Sequence, residues 1–398
     1  MNNVIKNTLA VFRDFVFKQC VRMINKPKEQ SGRKNIGFIA GTKTGVTGSS
    51  KILFEALQND ERFFVYWIYQ DYSGRKNFTN TPYNAYYRRA FTKIGLFRKT
   101  NLWVTTHGSF GIPIDYEEYN QKRLELWHGN IAFKGCVKEN KERIAKEFNR
   151  ATTVVVSSPY LKKIYSDEWN VRREVMKDLG QPRTDKLINK KNINKKNINE
   201  ENKRKLGICQ EKVILYAPTH EQDGDGDKQL FPWDSDATFQ KILEGAGENT
   251  AILIRPHPYW KKNISEFIKD KIENDERVYY MSSEIINDTE ELLYISDALI
   301  TDWSSIYFDF LLLDKPTIFL DLPNPFKDNF LLKPEERIGY LSTNKNELKI
   351  HVEESLHDLE KYKESYEGKI RRLKEKVYSN LDGKSTERCI NEIIELVN

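Results

Sequence analysis

Residues 297–319 read DALITDWSSIYFDFLLLDKPTIF, and this stretch decides the fold. Within it, 298–301 is a short apolar run, 306–313 has the spacing of a buried helix, and 317–320 is apolar again. Strands that are apolar on both faces and alternate with helices are typical of parallel sheets covered on both sides. The stretch therefore predicts an α/β architecture.

The same pattern recurs along the chain. A helical pattern at 51–58 follows the first strand, and the predicted strands are 35–40, 63–69, 102–105, 124–127, 153–156, 213–216, 251–254, 278–281, 298–301 and 317–320. Since so many strands in one open sheet would be unusual, we divide them between two α/β domains. The chain has 398 residues, which agrees with a prior of about 100–200 residues per domain.

We place the domains at 35–179 and 180–398, after an N-terminal segment at 1–34. The tract INKKNINKKNINEENKRK at 188–205 predicts a solvated helical or loop insertion, because it is rich in Lys and Asn. The last 50 or so residues are charged and helical in pattern, and they predict a closing helix pair.

The basic charge is concentrated at the N-terminus. The chain has 64 Lys and Arg against 58 Asp and Glu, a formal net charge of +6, and residues 1–34 hold eight basic and two acidic residues. The remaining residues therefore sum to zero. A general nucleic-acid-binding surface is disfavoured, because it would need a basic excess elsewhere.

Residues 4–24 have the apolar spacing of a basic amphipathic helix. One interpretation is a helix packed on the core of its own domain. The other is a helix lying in the interface of an anionic membrane, which the local charge excess favours.

The cysteines and the hydropathy pattern indicate the cellular compartment. The four cysteines are far apart in the sequence (Cys20, Cys136, Cys209 and Cys389), which argues against a zinc site or a disulfide framework and fits a reducing cytosol. No apolar run approaches the ~18–20 residues of a membrane-spanning helix, and the N-terminus lacks a secretory signal pattern.

Polar residues follow the strands of the first domain, where open parallel sheets bind ligands. The loop 41–50 (GTKTGVTGSS) fits neither a P-loop nor a dinucleotide fingerprint, so a tight turn and an acceptor contact through a helix start both remain open. His128 follows strand 124–127 and precedes a glycine, which suits a general base for a hydroxyl nucleophile.

The second domain has three polar strand ends. Pro218 and Thr219 follow one strand, and Arg255 and His257 follow the next, where Arg255 predicts a guanidinium fork for phosphate. A segment with capping and phosphate-binding residue types follows a third strand, and its members are Thr301, Asp302, Ser304 and Ser305. No acidic pair at a strand end demands a metal, and DGDGD at 223–227 is a weak candidate for a cation.

Five motifs in order resemble those of the CDP-glycerol glycerophosphotransferases, the teichoic acid primases and polymerases with related capsule enzymes. They are LWHG (126–129), GQPRTD (180–185), ILYAPTH (214–220), IRPHP (254–258) and the stretch 297–319. The resemblance implies a GT-B-like fold of two facing Rossmann-type domains, with the acceptor side at 35–179 and the nucleotide side at 180–398. It also implies peripheral association with the cytoplasmic face of the cell membrane.

The resemblance further implies transfer of an alditol phosphate from a CDP-alditol to a hydroxyl of a lipid-linked or polymeric glycan acceptor, with release of CMP and no cofactor. His128 matches the base, and His257 matches the histidine that supports the phosphate, with Arg255 beside it. The nucleotide and diphosphate residues are Pro218, Thr219, Thr301, Asp302, Ser304 and Ser305. The acceptor-side residues are Gly45, Ser49, Ser50, Gly129 and Lys134.

The chain departs from the family pattern at three places. The residues after WHG are Asn130-Ile-Ala-Phe-Lys134-Gly135, those after YAPT are His220-Glu221, and those after the last predicted strand are LDLPNPFKDNFLLKPEERIGYL. These differences leave the acceptor and the alditol open. Two other classes also remain open: a GT-B glycosyltransferase that uses a nucleotide-sugar, and a non-catalytic membrane scaffold.

Overall fold

The structure is a computed structural model that contains two parallel sheets. It describes residues 16–17, 19–20, 32–39, 46–70, 75, 78–79, 81–127, 133, 138–191, 195–219, 230–257, 264–323 and 330–398. Within these ranges, no helix combines the length and apolarity needed to cross a bilayer.

The first sheet has seven parallel strands in the order β3-β2-β1-β4-β5-β6-β7. They are β1 (Lys34–Ile39), β2 (Phe63–Tyr69), β3 (Ala85–Tyr87), β4 (Thr100–Thr105), β5 (Lys122–Glu125), β6 (Thr153–Val156) and β7 (Met176–Asp178). The strand order reverses between β1 and β4, which makes the carboxyl ends of these two strands the switch point of the sheet.

The second sheet repeats the Rossmann order with six parallel strands, β10-β9-β8-β11-β12-β13. They are β8 (Lys212–Tyr216), β9 (Thr250–Ile254), β10 (Val278–Tyr280), β11 (Ala298–Thr301), β12 (Thr317–Leu320) and β13 (Tyr340–Ser342). Its switch point lies between β8 and β11. The predicted α/β fold with two Rossmann-type sheets is confirmed.

Helices cover both faces of the sheets. They are α1 (Gly48–Leu57), α2 (Ile94–Arg98), α3 (Lys138–Asn149), α4 (Pro159–Trp169), α5 (Pro182–Lys191), α6 (Lys195–Lys205), α7 (Ser235–Ala246), α8 (Glu266–Asn274), α9 (Thr289–Ile295), α10 (Ile306–Leu311), α11 (Lys345–His357), α12 (Leu359–Val377) and α13 (Ser385–Val397). The predicted helix after the first strand is α1, and the Lys/Asn-rich tract lies in α5 and α6.

The last helix, α13, lies after the predicted domain boundary at Gly180 in the sequence but packs with the first domain. On α13, Cys389, Ile393 and Val397 are buried in the same apolar cluster as Ile36 and Phe38 of β1. Their spacing of four residues forms one apolar stripe, which packs on the first sheet rather than closing the second. The chain therefore crosses between the sheets a second time near its end.

The N-terminal segment enters the core of the first sheet through one side chain. Residues 16–17 and 19–20 are helical, and Phe17 is buried with Tyr66, Phe97 and Trp103. Val16 beside it is 39% exposed. At Phe17, the structure thus agrees with the interpretation that this segment packs on the core of its own domain. Residues 1–15 lie outside the described part of the chain.

Candidate active site

Asp302 organises the switch point of the second sheet. Its Oδ1 accepts hydrogen bonds from the backbone N–H of Thr219 at 2.8 Å, from the Thr219 hydroxyl, and from the backbone N–H of Trp303 at 2.7 Å. The Thr301 hydroxyl donates to the carbonyl of Ala217 at 2.7 Å. The loops after β8 and β11 are thus joined, and the structure brings together Pro218, Thr219, Thr301 and Asp302 as the sequence predicts.

The two predicted serines stand directly before α10. Ser305 is exposed and Ser304 is half-buried, and the Ser304 hydroxyl accepts a long hydrogen bond of 3.5 Å from the backbone N–H of Ile306. The next two N–H groups of α10 are used in the same turn, since Tyr307 donates to the Ser304 carbonyl at 3.3 Å and Phe308 to the Ser305 carbonyl at 3.1 Å. The groups of this segment that can contact an anion are therefore the two serine hydroxyls.

Arg255 is placed differently from the predicted phosphate fork. Its Nη1 donates to the carbonyls of Met281 at 2.9 Å and Ile286 at 2.6 Å, and its Nη2 donates to Asn287 at 3.4 Å and Thr289 at 3.1 Å. Burial lowers the pKa of Arg255 to about 10, although Glu290 and Asp288 act to raise it. The guanidinium therefore holds the loop before α9, and its terminal N–H groups are used inside the protein.

His257 lies three positions beyond the end of β9 and is half-buried. Since β9 pairs with β8, which pairs with β11, His257 follows the same sheet edge as Asp302. Its position at a carboxyl strand end agrees with the sequence analysis, and its role in supporting a phosphate remains a prediction.

Part of the first-sheet half of the site lies outside the described residues, namely Gly45, His128, Gly129 and Lys134. The backbone just before His128 is described, and Trp127 has a φ of 56° in the left-handed region. A non-glycine residue in this conformation marks a sharp change of direction. The chain therefore changes direction at Trp127, directly before His128.

A buried carboxylate that the sequence analysis missed fixes this turn. Glu125 pairs with Arg123 at 2.8 Å, and both side chains are 0% exposed. Glu125 also accepts from the Thr105 hydroxyl at 2.6 Å and from the backbone N–H groups of Gly108 at 2.9 Å and Trp127 at 3.1 Å. The signal in the sequence was a pair of opposite charges, Arg123 and Glu125, on either side of Leu124 in a strand that has neighbours on both sides.

Phe133 anchors the segment after His128 on the second sheet. The ring is 1% exposed and contacts Tyr307 and Phe308 of α10, with ring centroids 5.8 Å and 4.8 Å away. The backbone N–H of Leu331 donates to the Phe133 carbonyl at 3.2 Å. Phe133, five residues after His128, thus contacts the helix that follows Ser305.

The predicted acceptor contacts of Ser49 and Ser50 differ in the structure. Both side chains are 5% exposed. The Ser49 hydroxyl donates to Gln181 at 3.1 Å, and the Ser50 hydroxyl donates to the Thr47 carbonyl at 3.1 Å. These hydroxyls are therefore directed into the protein rather than toward an acceptor.

The N-terminus of α1 lies against a carboxylate of the protein, that of Asp288. The backbone N–H of Gly48 donates to Asp288 at 3.4 Å, and the Lys51 ammonium pairs with the same carboxylate at 2.6 Å. The helix start thus uses a carboxylate from the second half of the chain, which links the two sheets. Among the described residues, no group of three or more His, Cys, Asp or Glu side chains could hold a metal ion.

Two Rossmann-type sheets, with the predicted nucleotide residues at the switch point of the second, define the class of GT-B-like α/β proteins. The family model for CDP-Glycerol:Poly(glycerophosphate) glycerophosphotransferase matches residues 22–395, and the chain belongs to this family. The resemblance drawn from the five motifs is confirmed.

Curated relatives and a solved structure agree with this family. The chain is 25% identical over 373 residues to the teichoic acid poly(ribitol-phosphate) polymerase of Bacillus spizizenii, covering 90% of this chain and 56% of the relative. It is 29% identical over 219 residues to the teichoic acid glycerol-phosphate transferase of Staphylococcus aureus, covering 51% and 53%. The chain thus spans about half the length of these two relatives.

The fold is similar to that of the wall teichoic acid polymerase TagF in its H548A variant. The TM-score is 0.79 at 20% identity, with 99% of this chain and 95% of that chain covered. At this identity the likeness shows the fold alone.

Proposed function

We propose that the protein transfers an alditol phosphate from a CDP-alditol to a hydroxyl of a lipid-linked or polymeric glycan acceptor, with release of CMP, in the synthesis of a teichoic-acid-like or capsule polymer. The observation that carries the proposal is the match of the family model along residues 22–395. The linkage of Thr219, Thr301 and Asp302 at the switch point supports it, because a nucleotide binds at this position in open α/β sheets.

In this reaction His128 takes the proton of the acceptor hydroxyl, and the hydroxyl oxygen forms a bond to the β-phosphorus of the donor. The bond between that phosphorus and the bridging oxygen breaks, and the electron pair leaves with CMP. His257 and the hydroxyls of Ser304 and Ser305 offset the charge that develops on the phosphoryl oxygens. Such a transfer depends on in-line positioning and charge stabilisation rather than on covalent catalysis.

A donor screen tests the proposal. Purified protein incubated with CDP-glycerol, CDP-ribitol or UDP-glucose and a membrane fraction is expected to release CMP from a CDP-alditol and to add its alditol phosphate to the acceptor. Nucleotide release is followed by chromatography, and the product mass identifies the transferred group. UDP release with sugar transfer would establish the glycosyltransferase alternative, and no release from any donor would favour a scaffold.

We also propose that the protein binds the cytoplasmic face of the cell membrane through its basic N-terminal segment. Residues 1–15 carry apolar side chains together with Lys6, Arg13 and Asp14, a net charge of +1, and residues 16–34 hold the other +5; basic and apolar residues together suit an anionic interface. Because Phe17 is buried in the first sheet, the deletion that tests this proposal ends at residue 15 and keeps Phe17.

Deletion of residues 2–15 is therefore expected to lower the affinity for phosphatidylglycerol vesicles by about tenfold or more, since apolar and cationic contacts are lost together. Vesicle sedimentation measures the bound fraction, and circular dichroism checks that the fold is kept. Vesicles of phosphatidylcholine are the control for charge. Equal sedimentation of both proteins with anionic vesicles would leave the segment as a packing element only.

A further inference from the structure

The hexapeptide GQPRTD at 180–185 has no assigned role in the proposed reaction, yet it contacts both sheets. It begins at Gly180, whose φ is 76°, and continues into α5. The carboxylate of Asp185 accepts from the backbone N–H groups of Ser385 at 2.9 Å and Thr386 at 2.7 Å, and so holds the start of α13. Two further side chains of the hexapeptide reach the two halves of the candidate site.

Gln181 reaches the first half. Its Nε2 donates to the carbonyl of Leu126 at 3.0 Å, and its Oε1 accepts from the Ser49 hydroxyl at 3.1 Å. The side chain is 5% exposed, so both hydrogen bonds are shielded from water. Leu126 lies two residues before His128, and Gln181 therefore holds the strand end that carries the predicted base.

Arg183 reaches the second half. Its Nη2 pairs with Asp309 at 3.0 Å, and its Nε lies 3.7 Å from Glu290. Asp309 is on α10, the helix that follows Ser304 and Ser305. Burial acts to lower the pKa of Arg183, but the carboxylates of Asp309 and Glu290 outweigh it, and the net pKa is raised. The guanidinium is thus a cation held between helices of the second half.

The backbone of the hexapeptide connects these two contacts. The backbone N–H of Arg183 donates to the Ser49 hydroxyl at 3.2 Å, and the Thr184 hydroxyl donates to the Gln181 carbonyl at 2.7 Å. Only one residue separates Gln181 from Arg183, so a shift of either contact moves the other.

We propose that residues 180–185 form a positioning node, in which Gln181 and Arg183 fix the end of β5 relative to α10. The strand end that leads to His128 and the helix that follows Ser304 and Ser305 then keep their spacing during the reaction. Gln181 and Arg183 are positioning residues, because their side chains act through Leu126 and Asp309. The inference rests on the proposed function of the two site halves.

The test is Gln181→Met, which keeps the side-chain length and removes both polar atoms. Turnover (kcat) is expected to fall by about tenfold or more, because small misplacement of reacting groups is costly. The KM for the CDP-alditol is expected to change by less than about threefold, since the nucleotide contacts remain. The Leu126 N–H donates to the Thr105 carbonyl at 2.8 Å, and its hydrogen exchange is expected to be about fivefold faster, because this strand end is held by roughly one hydrogen bond fewer.

The matched control is Gln240→Met on the exposed face of α7, which is expected to leave kcat, KM and exchange unchanged. Ser49→Ala is a milder second variant that is expected to change kcat and exchange in the same direction. Unchanged exchange at residues 122–127 in Gln181→Met would overturn the proposal. A general rise in exchange along the chain with kcat and KM both altered would also overturn it, by assigning a structural role alone. If the wild type releases no CMP from any donor, the proposed function is wrong. The comparison of hydrogen exchange between the wild type and Gln181→Met still tests whether Gln181 holds the end of β5.

Discussion

Alanine in place of either predicted catalytic histidine, His128 or His257, is expected to lower turnover by at least about 10²-fold, the usual contribution of a general acid–base group. His128 would no longer accept the proton of the attacking hydroxyl. His257 would no longer offset charge on the transferred phosphoryl group. The measurement is the rate of CMP release at saturating CDP-alditol, with the KM of the donor determined separately.

The matched control is His357→Ala, because this histidine is exposed at the end of α11 and belongs to none of the five motifs. It is expected to retain the wild-type rate. Circular dichroism of each variant separates lost chemistry from lost structure. Turnover close to that of the wild type in His128→Ala or His257→Ala would remove that residue from the mechanism.

Arg123→Met is expected to lower the free energy of unfolding by about 3–5 kcal/mol, the typical cost of breaking a buried ion pair from one side. The Glu125 carboxylate is 0% exposed and would lose its only paired cation within 3 Å among the described residues. It would keep hydrogen bonds from Thr105, Gly108 and Trp127. Urea unfolding followed by fluorescence gives the free energy.

Two further variants make this test specific. Lys163→Met breaks an exposed pair with Asp167 on α4 and is expected to lower the free energy of unfolding far less, because water screens charges at the surface. The double variant Arg123→Met/Glu125→Gln removes the uncompensated charge but keeps a hydrogen-bond acceptor, so it is expected to recover part of the loss. A loss in Arg123→Met as small as that in Lys163→Met would contradict a buried role for the pair.

Nine of the ten strands that the sequence analysis found lie inside a sheet, and the tenth, β10, is a three-residue edge strand. The three that it missed, β3, β7 and β13, have three residues each and lie at sheet edges. Short edge strands form because a neighbour offers hydrogen-bonding groups, and their own residues carry little periodic signal. The offset at β5, predicted at 124–127 and found at Lys122–Glu125, arises because a buried charged pair hides the strand.

The candidate site likewise contains some residues whose placement was predicted and others whose placement was not. The residues at the second switch point, Thr219, Thr301 and Asp302, were predicted because their strands are regular and their motif is specific. The use of Arg255 and Ser49 inside the protein was not predicted. Whether a guanidinium or a hydroxyl faces a ligand or a neighbouring loop depends on which carbonyls and amides lie nearby, and these come from residues distant in the chain.

The sequence by itself determined two parallel α/β sheets, the order of the motifs and the strand ends at which they stand, since burial on both faces and turn residues act over short distances. Only the tertiary structure decided that α13 returns to the first sheet, that Glu125 and Arg123 pair without water, and that Gln181 and Arg183 connect the two halves of the site. These contacts join residues far apart in sequence, and they form only when hydrophobic packing has brought the two sheets together.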